Sequence, residues 1–189
     1  MYLDFLGEGM FRELAEEFPE LIYDAGRVSL DELEAGVRLE SEVAARHRDL
    51  GCRMLQDAKL IHARKVFTKA LQLDPDDPLS RLGLACALDA IGLTSTAIDE
   101  LQFCLDARPE YCPAIVSMGY CFQKSGETRE AIRAYEQALR KDPKLRRTRE
   151  KLASIIPGVC EELPETNRQP DAICIAVRYD EFKEVAITH

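Results

Sequence analysis

Three prolines, Pro75, Pro109 and Pro143, stand 34 residues apart and close similar phrases: Ala70-Leu71-Gln72-Leu73-Asp74, Cys104-Leu105-Asp106-Ala107-Arg108 and Ala138-Leu139-Arg140-Lys141-Asp142. A fixed period of this length means one supersecondary unit stacked on copies of itself. Within each copy a small residue recurs as Ala63, Ala97 and Ala131, with a bulky one four places later as Phe67, Leu101 and Tyr135. Upstream, the pairs Leu50-Gly51, Leu84-Ala85 and Met118-Gly119 recur. Small residues at these places let two helices cross closely, and the bulky ones fill the remaining space. Proline closes the second helix because it cannot extend the hydrogen-bond ladder and restrains the residue before it.

On these positions, residues 44–143 resemble the tetratricopeptide repeat (TPR) family. The resemblance implies an all-α fold: a right-handed TPR superhelix, or α-solenoid, of three helix-turn-helix repeats (44–77, 78–111 and 112–145) with one concave face. The first helices are expected over 44–57, 78–91 and 112–125, and the second over 60–73, 94–107 and 128–141. Two departures stand out. The aromatic residue often found at the fourth place is His47, Arg81 and Ile115, and the first repeat lacks the turn glycine that Gly92 and Gly126 supply.

A solenoid needs its last apolar face covered. Leu145, Leu152, Ile155 and Ile156 at helical spacing, followed by Pro157-Gly158, predict a capping helix over 146–156, leaving 157–189 as an appendage. That appendage holds a polar linker, Glu161 to Pro170, and the apolar run Ile173 to Val177, which periodicity does not assign to strand or helix. At the other end Ser29 and Glu32 form a capping-box signal for a helix from Leu30, with Leu33, Val37 and Val43 on one face and running into the first repeat. Further upstream Phe5, Leu6, Met10, Phe11, Leu14, Phe18, Leu21, Ile22 and Tyr23 form an apolar set. Two readings of this N-terminal extension, residues 1–43, stay open: a further cap on the array, or a homodimerisation arm or partner mimic.

The same extension carries 12 acidic and 3 basic residues, whereas the rest of the chain is balanced. It repels phosphate backbones, so nucleic acid is not an expected partner. No segment has the run of apolar residues of a membrane span, and the N-terminus does not read as a secretion signal. Seven cysteines, an odd number without a CxxC pair, fit reduced thiols in the cytosol. His47 and His62 fall at packing and turn positions, no Cys or His spacing suits zinc, and Gly7-Glu8-Gly9 lacks the strand and lysine loop of a phosphate cradle. The expectation is a protein without cofactor or metal that is not an enzyme.

In TPR arrays the first helix of each pair lines the concave groove, which is what the resemblance implies here. The peptide-binding candidates are Arg48, Cys52 and Leu55 from the first repeat, Leu79, Leu82, Cys86 and Asp89 from the second, and Val116, Tyr120 and Gln123 from the third. The carboxylate-clamp pattern of lysines and asparagines is absent: Arg48, Cys52, Gly83, Pro113 and Ser117 stand at its places. An apolar groove favours a protein or peptide client with apolar anchors. Small size, three repeats, an acidic extension and such a groove also resemble the TPR chaperones of bacterial type III secretion. The alternative is a non-catalytic assembly scaffold that uses convex or terminal surfaces while its own N- or C-terminal segment occupies the groove.

Overall fold

The computed structural model describes residues 9–19, 29–39 and 43–162, and every element among them is an α-helix. These are α1 (Met10–Glu17), α2 (Leu30–Leu39), α3 (Ala44–Gln56), α4 (Leu60–Leu73), α5 (Pro78–Ala90), α6 (Thr94–Ala107), α7 (Cys112–Lys124), α8 (Thr128–Lys141) and α9 (Arg146–Glu162). Helices α3 to α8 form three hairpins, and each second helix also packs on the helix that follows it, α8 on the single helix α9. The second helices keep their expected bounds, and the first helices end one residue early.

Close approach explains the small residues. The buried Phe67 ring of α4 lies between Gly51 of α3 and Gly83 of α5. A Cβ on Gly51 would stand 2.8 Å from that ring, and one on Gly83 only 2.3 Å. Tyr135 of α8 sits on Gly119 in the same way, at 2.6 Å. The hairpin turns show what the missing glycine costs. Gly92 and Gly126 adopt φ of 88° and 79°, while in the first repeat Ala58 takes φ of 55°, a region that a side chain disfavours by about 1 kcal/mol.

The departures at the fourth position have local reasons. Arg81 donates to the Pro75 carbonyl at 2.6 Å and to Glu100 at 2.9 Å, tying the start of its helix to the preceding turn. Arg149 reaches the Pro143 carbonyl in the same manner. His47 and Ile115 are buried apolar-face residues. Asp77 caps α5, its carboxylate accepting from the amides of Leu79 and Ser80 ahead of Pro78.

The ends agree with expectation in one respect and differ in two. The capping box forms: Ser29 N–H and Oγ–H donate to Glu32 at 2.7 and 2.8 Å, and Glu32 N–H donates to Ser29 Oγ at 3.3 Å. These bonds hold the Glu32 carboxyl below its usual range. However, α2 stops at Leu39 and packs on α3 as a separate helix, so Val43 is the exposed, extended N-cap of α3 rather than part of one apolar face. The final helix runs past Pro157-Gly158 to Glu162, although an interior proline gives up one hydrogen bond of the ladder and crowds the carbonyl four residues before it. Phe5, Leu6, Leu21, Ile22, Tyr23, the Ile156 side chain and residues 163–189 lie outside the described residues.

Candidate functional site: an occupied concave groove

The first helices of the second and third repeats, α5 and α7, present one surface, and α1 lies on it, touching α9 as well. Helix α1 is amphipathic. Met10, Leu14 and Ala15 are buried, and so is Phe18 just after its last turn, while Phe11 packs at the edge. Met10 Sδ meets Cys121 Sγ of α7 at 3.8 Å. Within the N-terminal extension α2 packs on the first repeat, and α1 lies across the groove and reaches α9. Phe18, one of the aromatic residues that suggested a dimer arm, is spent inside the chain.

The flank of α1 beside Met10 is acidic, and α9 supplies the matching groups. Glu13 pairs with Lys151 at 2.7 Å, and Glu16 pairs with Arg147. Glu17 accepts from the backbone amide of Thr148 at 2.8 Å and from its hydroxyl at 3.4 Å. A carboxylate in the first turn of a helix meets unpaired N–H groups and the positive end of the dipole. Burial nonetheless raises the Glu17 pKa, against the pull of the Thr148 hydrogen bonds. Lys151 also lies over the Tyr120 ring, 5.0 Å from its centroid. Burial, with Glu13 and Asp89 nearby, pushes the Tyr120 hydroxyl up to about 12.

Beside α1 a cavity of about 710 Å³ remains, and four of the ten candidate groove residues line it: Leu55, Cys86, Asp89 and Tyr120. Several of these candidates are covered rather than open to solvent. Cys52, Leu55, Leu82, Cys86 and Asp89 are buried. Cys52 and Leu82 belong to the hydrophobic core, and Leu79 and Val116 pack against it. Arg48 faces Asp49 at 3.3 Å and Asp77 at 3.7 Å. Gln123 accepts from the Tyr135 hydroxyl at 3.0 Å. Asp89 is neutralised where it stands, accepting from Thr94 Oγ at 2.7 Å and Lys124 Nζ at 2.8 Å.

Four participants were missed by sequence reasoning: Cys121, Arg147, Thr148 and Lys151. The available signal was the basic stretch Arg146-Arg147-Thr148-Arg149-Glu150-Lys151 beside an acidic N-terminal segment, a complementarity that repeat positions do not encode. The cysteines at the groove are inert thiols. Burial pushes Cys52 and Cys121 up to about 12 and Cys86 well above its ordinary value. Among the described residues, no cluster of His, Cys, Asp or Glu is placed to hold a metal ion, and no helix is long and apolar enough to cross a membrane.

Comparison with known proteins agrees with this architecture. Residues 113–145 match the family described as Tetratricopeptide repeat. The small glutamine-rich tetratricopeptide repeat-containing protein 2 of Mycosarcoma maydis is 30% identical over 81 residues, covering 43% of this chain and 23% of that protein. DnaJ homolog subfamily C member 3 of Homo sapiens is 24% identical over 123 residues, 65% of this chain and 24% of that protein. The chain therefore spans under a quarter of the length of these two relatives. Among solved structures, MamA superposes with a TM-score of 0.69 at 19% identity, covering 85% of this chain and 90% of that one. The first TPR domain of Spaghetti (RPAP3), bound to the HSP90 peptide SRMEEVD, gives 0.61 at 20% identity, covering 64% and 95%.

Proposed function

From the premise that this chain is a stack of tetratricopeptide repeats, we propose that it is a non-catalytic protein-binding module whose groove takes an apolar-faced helix of a partner and holds α1 in the partner's absence. One observation carries this reading: the groove already binds an amphipathic helix, burying Met10, Leu14 and Phe18 against α5, α7 and α9. A helix this short is marginal on its own in water, so α1 owes its structure to the seat, and a longer helix with a matching face competes for it. A chaperone that shields an apolar client before export is one protein of this kind, and buried reduced thiols suit a cytosolic setting.

The full-length Leu14→Asp variant tests the reading. It should release α1, expose Cys121 to alkylation at neutral pH and gain affinity for amphipathic helical peptides that the wild-type chain binds weakly. Release of α1 without any gain in peptide binding would instead favour the scaffold reading. In that case α1 is a permanent part of the fold, and partners use the convex or terminal surfaces.

A further inference from the structure

The seat of α1 selects charge as well as shape. Its floor is apolar, formed by Cys86, Tyr120 and Cys121, and Lys124 at its margin is already paired with Asp89. Its wall is α9, which presents Arg147, Lys151 and the Thr148 amide to a single helix. On α1 the apolar anchors Met10, Leu14 and Phe18 are spaced i, i+4 and i+8, and Glu13, Glu16 and Glu17 follow at i+3, i+6 and i+7. Thr148 is 1% exposed under this helix, so a replacement lacking an acceptor there would cover a buried N–H without a partner. A basic replacement would also face two cations. The cavity beside α1 reaches Leu55 and Leu60 of the first repeat, which leaves room for a helix longer than α1.

Resting on the groove reading above, we infer that the partner is an acidic amphipathic helix that reproduces the α1 face, with apolar side chains at i, i+4 and i+8 and carboxylates at i+3, i+6 and i+7, the last capping the first turn of α9. Helix α1 is then an internal competitor. It lowers the apparent affinity of the partner by the fraction of chains in which the groove is closed, and it excludes helices that carry only the apolar half of the pattern.

The test uses the full chain with α1 weakened in either of two ways, Leu14→Asp or Glu13→Arg/Glu16→Arg, the second leaving every apolar contact intact. The probes are labelled synthetic helical peptides of unrelated sequence with leucines at the three anchor places and Glu, Gln or Lys at the three carboxylate places, followed by fluorescence anisotropy. The Glu peptide should bind at least about tenfold more tightly than the Gln peptide, as expected for two ion pairs and one charged cap. Adding Arg147→Glu/Lys151→Glu should reverse the order so that the Lys peptide binds best. Equal binding of the Glu and Gln peptides would overturn the inference while leaving the groove reading in place. No binding of any peptide, although Cys121 has become reactive to alkylation, would overturn both. If the opened chain instead pairs with a second copy and excludes the peptides, the occupant is another α1 and the inference is likewise wrong.

Discussion

The seat of Phe67 and the seat of α1 hold apolar groups in different ways. Phe67 is gripped by backbone: Gly51 on one side and Gly83 on the other leave no room for even a methyl group. Met10 and Leu14 rest on side chains of the groove floor, and their helix is held to α9 by two ion pairs and a helix-capping carboxylate. Close packing against backbone cannot adapt, so it gives a rigid array. Exposed ion pairs are weak and salt-sensitive, so the second seat suits an occupant that leaves. The contrast separates the part of the chain that builds the groove from the part that fills it.

The largest break in this contrast is expected from Gly83→Val. Its branched side chain meets a ring that is itself wedged, and overpacking of this kind costs about 3 kcal/mol. Thermal melting should show a lower, still cooperative transition of the whole array. Alkali acts on the core and on the groove floor. Cys52 and Cys121 have folded pKa values of about 12 against an ordinary 9.0, so between those limits the unfolded chain releases protons that the folded chain keeps. The stability these thiols contribute is therefore present below about pH 9 and is lost as the pH rises toward 12. Cys86 and Cys112 are raised by burial as well, so denaturant titrations at pH 8 and 10 should differ by at least about 3 kcal/mol.

Leu14→Asp should cost less, about 2 kcal/mol, because the loss is capped by the docking energy of α1 and the repeats remain folded. Hydrogen exchange should accelerate over residues 10–18 while α4 and α5 keep their protection. Uniform acceleration would erase the distinction between the seats. Reversing Arg147 and Lys151 to Glu should loosen α1 by about 1 kcal/mol, with an effect that shrinks as salt rises. At the small end, Ala58→Gly should stabilise the first hairpin by about 0.5 kcal/mol, since relief of the left-handed strain outweighs the added freedom of the unfolded chain.

Much of the array was legible because its contacts are local and repeated. Asp142-Pro143, Ala131 and Tyr135 do in the third repeat what their counterparts do in the first, and that agreement located six helices to within a residue. Gly83 was legible only as a residue at a clamp position, since its contact with Phe67 joins two repeats and the other repeats carry Asp49 and Ser117 at its place. The groove candidates were legible as positions but not as a surface. Leu55, Cys86 and Asp89 stand beside the groove cavity, yet they are buried rather than open to a client.

The 34-residue period, by itself, determined the helices, their pairing and the existence of a concave face, because each repeat must bury its apolar side on the next. That this face is occupied, and by which segment, follows from contacts between distant parts of the chain. The bond from Thr148 to Glu17 spans 131 residues and the contact of Cys121 with Met10 spans 111, and neither follows any period. An amphipathic acidic helix satisfies its apolar face equally well on a repeat edge, on a second chain or in a groove. The choice fell to a place where an apolar floor meets the cationic, amide-bearing start of α9.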